Sequence, residues 1–200
     1  MNIGIYIYEN AEVLDFSGPF EVLSTAKRLT GNDWNISLIA ECDATVIARG
    51  GFPVNPHYCF ENHPLLDILI VVGGVHTEEL KKTNVINWIA KTSILTQRTV
   101  SVCTGAFLLA EAGLLNGLSV TTHWEDISDL KLNYPKLTVL ENKRWVSDGK
   151  YITSAGISAG IDMSLYLVSQ LISEKIAEDT ALQMEYIPMI LQGAVSELSN

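Results

Sequence analysis

One cysteine stands where its surroundings could make it a nucleophile. In TVSVCTGAFLLAEAG, residues 99–113, a β-branched run gives way to Ala and Leu directly after Cys103. A strand turning sharply into a helix lifts its junction side chain above the sheet. The first helical N–H groups and the helix dipole favour an anion there, which predicts a lowered thiol pKa and thiolate near neutral pH. Gly105 keeps the tight turn unobstructed. The local pattern leaves a second reading open, because free cysteine is among the most buried residue types.

Three further features could serve such a thiol. Gly73-Gly74 follows an apolar strand, where a missing side chain lets a backbone N–H approach a ligand closely. Paired with the Thr104 amide, it could form an oxyanion hole; a plain turn is the alternative. Asp15 lies in EVLDFSGPFEV between the first strand and the first helix. A partly buried carboxyl there would have a raised pKa and could donate or accept a proton, whereas an exposed loop Asp or a helix cap would do neither. His123, in TTHW, is the one histidine downstream of Cys103 and is a candidate pocket residue, or a core or surface one. His57, His63 and His76 fall in expected loops or element ends and read as solvated.

These residues need a scaffold, and the hydrophobic pattern supplies one. NIGIYIY (2–8), WNISLIA (34–40), DILIVVGG (67–74) and TVSVC (99–103) read as strands, the third apolar enough to be buried on both faces. GPFEVLSTAKRL (18–29) reads as a helix with Ser17 as N-cap and Pro19 in its first turn. NVINWIAKTSIL (84–95), TGAFLLAEAG (104–113) and EDISDLKLNY (125–134) follow as helices. VTTHW (120–124) is a short strand or turn. Residues 43–60 suggest short edge strands or a hairpin, and Asp148-Gly149 within 144–154 marks another hairpin. A helical region spans 157–173 and resumes through 174–186; YIPMIL (186–191) is core or interface. The alternation predicts one domain over 1–200. Its fold is a three-layer α/β sandwich with a mainly parallel central sheet and helices on both faces. In such sheets ligands bind beyond the carboxyl ends of the strands, where Gly73-Gly74 and Cys103 both fall.

Composition narrows the function classes. With 48% hydrophobic and 18% charged residues the chain is that of a globular protein. A net charge of −10 and scattered basic residues argue against nucleic-acid binding. No apolar run reaches membrane-spanning length and no signal-peptide pattern opens the sequence. Three cysteines, Cys42, Cys59 and Cys103, do not make a disulfide framework, so a cytoplasmic protein is expected. Without CxxC, HxxxH or HExxH, no metal site is expected, and no cofactor.

The ordered motifs add a family. VSVCTGAFLLAEAGLLNGLSVTTHW, with DFSGPFEV before it, VVGG between and SDGKYITSAGISAGIDMSL after it, resembles the ThiJ/PfpI superfamily along nearly the whole chain. That superfamily has the flavodoxin-like, class I glutamine amidotransferase-like fold and includes the Parkinson-associated deglycase. The sequence is most similar to its isocyanide-hydratase branch and to the amidotransferase-like domains of AraC-type regulators. The resemblance implies that Cys103 is the elbow nucleophile and that Asp15 is the acid approaching it, with Asp as in the isocyanide-hydratase branch. It places Gly73, Gly74 and the Thr104 amide as oxyanion-binding elements. His123 is then a pocket residue, and SAGISAGID (154–162) brings Ser154 and Gly156 beside the cysteine. LQMEY (182–186) matches the same branch, with no role implied for Glu185.

Departures sharpen the expectation. PfpI-type proteases carry His directly after the cysteine, where this chain has Thr104. Glutamine amidotransferases need a late His-x-Glu pair, and no His follows His123. No basic helix-turn-helix segment follows Tyr186, so DNA binding by this chain is not expected. The resemblance thus implies a small-molecule enzyme, a homodimer of isocyanide-hydratase type. The alternatives are a glyoxalase- or deglycase-like enzyme, an amidase or intracellular protease-type hydrolase, and a non-enzymatic redox or ligand sensor.

Overall fold

The computed structural model describes residues 1–189 and the strand at 193–195. Alternating strands and helices follow the hydrophobic pattern. The strands are β1 (Asn2–Tyr6), β2 (Asn35–Ala40), β3 (Val46–Ala48), β4 (Phe52–Val54), β5 (Tyr58–Cys59) and β6 (Ile68–Val71). After them come β7 (Arg98–Val102), β8 (Ser119–Val120), β9 (Thr138–Val139), β10 (Trp145–Asp148), β11 (Tyr151–Ser154) and β12 (Gly193–Val195). The helices are α1 (Val13–Thr30), α2 (Thr83–Leu95), α3 (Gly105–Glu111), α4 (Ile127–Asn133), α5 (Ala159–Leu171) and α6 (Glu174–Gln183).

Eight strands form one sheet in the order β12-β10-β11-β7-β6-β1-β2-β5. Every neighbouring pair is parallel except the β10–β11 hairpin, whose two-residue turn is Gly149-Lys150, one residue beyond the Asp148-Gly149 signal's start. β3 and β4 form a separate antiparallel hairpin within 43–60, as the turn residues there predict. All four residues of β6, at the sheet centre, are fully buried, which explains its unbroken apolar run. α1, α5 and α6 pack together on one face, and α2 packs with α3 on the other. The three-layer expectation holds. Because β1, β6, β7 and β11 run parallel, the segments after them converge at one edge of the sheet.

Two helix boundaries differ from the sequence expectation. α1 starts at Val13, not at Gly18, and Glu12 precedes it without a side-chain cap. Ser17 is no N-cap: its hydroxyl donates back to the Val13 carbonyl at 2.8 Å, inside the helix. Pro19 lies beyond the first turn, where its missing N–H deprives the Asp15 carbonyl of a helical partner. Asp15 is therefore a first-turn helical residue rather than a loop residue. The region 157–186 divides into α5 and α6, with the Ser173 hydroxyl accepting the Ile176 N–H at 3.3 Å to cap the second. Of YIPMIL, Ile187 is exposed, and Ile190 and Leu191 lie outside the described residues.

One buried ion pair ties the C-terminal region to this frame. Fully buried Asp162 on α5 accepts hydrogen bonds from the Arg144 guanidinium and, at 2.9 Å, from the Met189 amide. Losing the carboxylate leaves a largely buried guanidinium unpaired, which costs about 3–5 kcal/mol. Asp162→Ala is expected to lower the unfolding free energy by that amount in urea titration while leaving α1 and the sheet intact by circular dichroism.

Candidate active site

Cys103 occupies the turn between β7 and α3 with φ of 55°, a left-handed backbone that side chains with a Cβ rarely adopt. Its backbone is fully engaged. The Cys103 N–H donates to the Ser154 carbonyl at 3.1 Å, and its carbonyl accepts the Thr122 hydroxyl at 2.8 Å. These bonds hold the elbow between β11 and the segment after β8. The residue keeps 6% of its surface exposed.

Gly73 is the meeting point of the site. Its N–H donates to Oδ2 of Asp15 at 3.0 Å. A Cβ placed on Gly73 would stand 2.5 Å from the Thr104 nitrogen and 2.8 Å from both Asp15 Oδ2 and Cys103 Cβ. Only a residue without a side chain lets the carboxyl and the nucleophile approach one another here. Asp15 is fully buried, and its second oxygen, Oδ1, has no hydrogen-bond partner.

The glycine amides are arranged differently from an open oxyanion hole. The Gly73 N–H is held by Asp15, and the Gly74 N–H donates to the Thr104 hydroxyl at 2.9 Å. That hydroxyl in turn donates to the Gly74 carbonyl at 3.0 Å. Of the three expected amides, the Thr104 N–H alone faces the sulfur. The physical reason is that a buried amide takes the nearest acceptor, and two acceptors lie within reach.

Gly156 performs a second close approach. A Cβ there would lie 2.6 Å from Cys103 Sγ and 2.7 Å from Cδ2 of His123, so thiol and imidazole flank the same glycine. His123 Nδ1 faces Asp126 Oδ2 at 3.3 Å and Glu125 Oε2 at 3.9 Å. Ser154 serves the site through its carbonyl, since its hydroxyl turns to the Ala155 carbonyl. Two cavities are lined by residues adjacent in sequence to His123, though His123, Cys103 and Asp15 line neither. One, of about 470 Å³, is lined by Thr122, Trp124, Arg144 and Ala155, and the other, of about 530 Å³, by His76, Phe107, Asp126 and Tyr134.

Electrostatics correct the expectation of a lowered thiol pKa. Burial pushes the Cys103 thiol well up and the Asp15 carboxylate pushes it further, outweighing the Thr104 N–H that pulls it down. α3 has seven residues, so little helix dipole opposes these effects. Burial also raises Asp15 to about 7, against the pull of the Gly73 N–H. Thiol and carboxyl are therefore a coupled pair that favours one negative charge rather than two. Thiolate forms when its proton moves to Asp15.

The other histidines are less solvated than their sequence context suggests. His63 accepts the Trp88 indole N–H at 3.0 Å, and His76 packs on Phe107 with its pKa lowered by burial. His57 is exposed, although its Nδ1 accepts the Leu38 N–H. Sequence reasoning missed Thr122, whose hydroxyl holds the Cys103 carbonyl at 2.8 Å, because TTHW carries no local signal of that contact. Among the described residues, no helix is long and apolar enough to cross a membrane.

The chain is similar to several known proteins. The DJ-1/PfpI family profile matches residues 1–170. The chain is 33% identical over 190 residues to isonitrile hydratase of Pseudomonas putida, covering 94% of this chain and 79% of that protein. It is 32% identical over 158 residues to the HTH-type transcriptional regulator CdhR of Pseudomonas aeruginosa, covering 79% of this chain and 47% of the regulator. The chain thus spans about half the length of that regulator. The crystal structure of a ThiJ/PfpI family protein from Pseudomonas syringae superposes with a TM-score of 0.84 at 27% identity, covering 94% of this chain and 75% of the other.

The raised Asp15 carboxyl makes stability depend on pH. Between the unfolded pKa near 4 and the folded value of about 7, the native state holds the extra proton. Its stabilising effect is full below the unfolded pKa and is lost as pH rises through about 7. Asp15→Asn keeps an acceptor for the Gly73 N–H and removes the titration. Chemical denaturation from pH 4 to 8 is expected to show wild-type stability falling by on the order of 3–4 kcal/mol relative to the variant.

Proposed function

The chain belongs to the DJ-1/PfpI family, and we propose that it is a cysteine-dependent isocyanide hydratase, adding water to R–N≡C to give an N-substituted formamide. The observation that carries this reading is the meeting of Cys103 and Asp15 across Gly73, a buried thiol beside a carboxyl whose pKa is about 7. The similarity to isonitrile hydratase over most of both chains supports it.

The chemistry follows from that pair. The thiol proton passes to Asp15, and Cys103 Sγ attacks the terminal isocyanide carbon. Asp15 returns the proton to that carbon, giving a thioimidate, R–N=CH–S–Cys. Water then adds at the same carbon, and the C–S bond breaks to release the formamide. Covalent catalysis of this kind divides one hard addition into two easier steps. A carboxyl titrating near neutral pH suits both the donating and the accepting role.

The occupied glycine amides favour this reaction over amide or peptide hydrolysis. Acyl transfer places developing charge on an oxygen, and preorganised N–H donors supply much of its stabilisation. Here the Thr104 N–H is the one amide of the three not held by another protein group. Isocyanide addition places charge on carbon, where the Asp15 proton quenches it. A peroxide-sensing thiol is less well supported, because a raised pKa lowers the thiolate fraction that oxidation requires. The small-molecule substrate and the homodimer rest on the resemblance and are part of this proposal.

A substrate panel tests the reading. Wild type is expected to convert an aryl or alkyl isocyanide to its formamide by chromatography, and Cys103→Ala to lose turnover by at least about 10³-fold with an unchanged circular dichroism spectrum. Turnover of methylglyoxal or an amide in preference to the isocyanide, or an active Cys103→Ala, would overturn it.

A further inference from the structure

Cys103 has a titratable side chain on each flank, and a glycine marks each approach. β7, which leads into Cys103, lies between β6 and β11 in the sheet. On the β6 side Asp15 meets the thiol across Gly73, and on the β11 side His123 meets it across Gly156. A Cβ on Gly156 would stand 2.6 Å from Sγ and 2.7 Å from His123 Cδ2, so sulfur and ring are no further apart than those two lengths end to end. The segment carrying the histidine is pinned to the elbow. Thr122 donates its hydroxyl to the Cys103 carbonyl, and the Thr121 N–H donates to the Thr153 hydroxyl at 2.8 Å. Beyond His123 the chain makes a 3₁₀ turn, closed by the Asp126 N–H on the His123 carbonyl at 3.0 Å.

Such a turn brings side chains three residues apart to one side, and Asp126 Oδ2 stands 3.3 Å from His123 Nδ1. Glu125 Oε2, at 3.9 Å and largely in solvent, is the weaker neighbour. A negative charge beside Nδ1 holds the proton of the neutral ring there and leaves Nε2 with its lone pair. The edge of an imidazole opposite Nδ1 is the Cδ2–Nε2 bond. With Nδ1 turned to Asp126 and Cδ2 set against Gly156, Nε2 belongs to the edge on the side of the thiol. The two flanks also differ in access to water. Asp15 is fully buried, whereas the His123 side chain is 17% exposed. Water is the co-substrate of the proposed reaction, and solvent reaches the histidine flank. We infer that Asp126 is a positioning residue that makes His123 the catalytic base for the hydrating water.

The inference rests on the hydratase reading and divides its labour, with Asp15 serving the addition of sulfur and His123 the addition of water. After the first half, Asp15 is an ionised carboxylate and Cys103 is a thioimidate. The water oxygen bonds to the thioimidate carbon as one of its protons passes to His123 Nε2, and the C=N electron pair moves to nitrogen. The imidazolium gives that proton to the same nitrogen and is neutral again. The remaining O–H proton passes to Asp15 as the C=O bond forms and the C–S bond breaks. Thiolate then stands beside a carboxylic acid, proton exchange within the pair restores the thiol, and one water has been added to one isocyanide.

Asp126→Asn keeps the size of the side chain and removes its charge. With excess isocyanide, intact-mass measurement follows the Cys103 adduct and chromatography follows the formamide. The variant is expected to form the adduct at least as fast as wild type and to release formamide roughly tenfold more slowly, so that the thioimidate accumulates. His123→Gln is expected to slow release by about 10²-fold or more, again with adduct formation kept. Because Asp126 acts through the imidazole, the double variant is expected to release no more slowly than His123→Gln. Release at the wild-type rate in either single variant overturns the inference and leaves the hydratase reading standing. A further tenfold loss in the double variant gives Asp126 a separate role, and adduct formation lost as much as release gives both residues a structural one; each result overturns the inference. A wild type that forms neither adduct nor formamide overturns both readings.

Discussion

The arrangement depends on one hydrogen bond, from the Gly73 N–H to Oδ2 of Asp15, joining residues 58 positions apart. It anchors the first turn of α1 to the end of β6 and carries a carboxyl into a place without solvent. A buried carboxyl with several N–H donors would stay ionised, while one with none would stay protonated far above neutrality. The Gly73 N–H and the Cys103 thiol, set against full burial, leave Asp15 between these limits, at about 7. The missing Gly73 side chain leaves the space in which this acid meets the thiol. Parallel strands deliver the remaining groups to the same edge, each as the first residues beyond its strand.

The surrounding field has a single sign. The charged side chains that act on the Cys103 thiol are Asp15, Asp126 and Glu12, all acidic. Arg144, which lines a flanking cavity, is already paired with Asp162. Negative charges that raise a thiol pKa also repel an anionic electrophile and tolerate a neutral one. In the proposed mechanism reactivity comes from proton exchange inside a pair, which becomes nucleophilic only as it transfers its proton. Such a thiol discriminates by geometry, since an electrophile must reach both sulfur and carboxyl.

Much of this was legible in the sequence, for reasons particular to each element. The unbroken apolar run at 68–72 allows little but a central strand, and Asp148-Gly149 between two alternating segments fixes a hairpin. Cys103 stood out because a strand-to-helix junction is a local pattern. The start of α1 did not, because Glu12 offers no capping signal and Ser17-Gly18-Pro19 imitates one a turn later. The direction of the thiol pKa was hidden for another reason. It depends on the placement of Asp15, which folding alone brings to Cys103, and on burial, which no local motif encodes. The engagement of the Gly74 N–H by the Thr104 hydroxyl was hidden likewise, being a contact between two elements.

The left-handed backbone at Cys103 also limits which nucleophiles this elbow can host. A φ of 55° crowds Cβ against the neighbouring carbonyl, and a second heavy atom on Cβ would crowd it further. Threonine is therefore excluded, although its hydroxyl resembles that of serine. Among residues that attack through a hydroxyl or thiol on Cβ, cysteine and serine are unbranched enough to stand there. Exchange between thiol and alkoxide chemistry is thus open to this scaffold by one substitution, while the threonine nucleophiles used elsewhere would require the turn itself to be rebuilt.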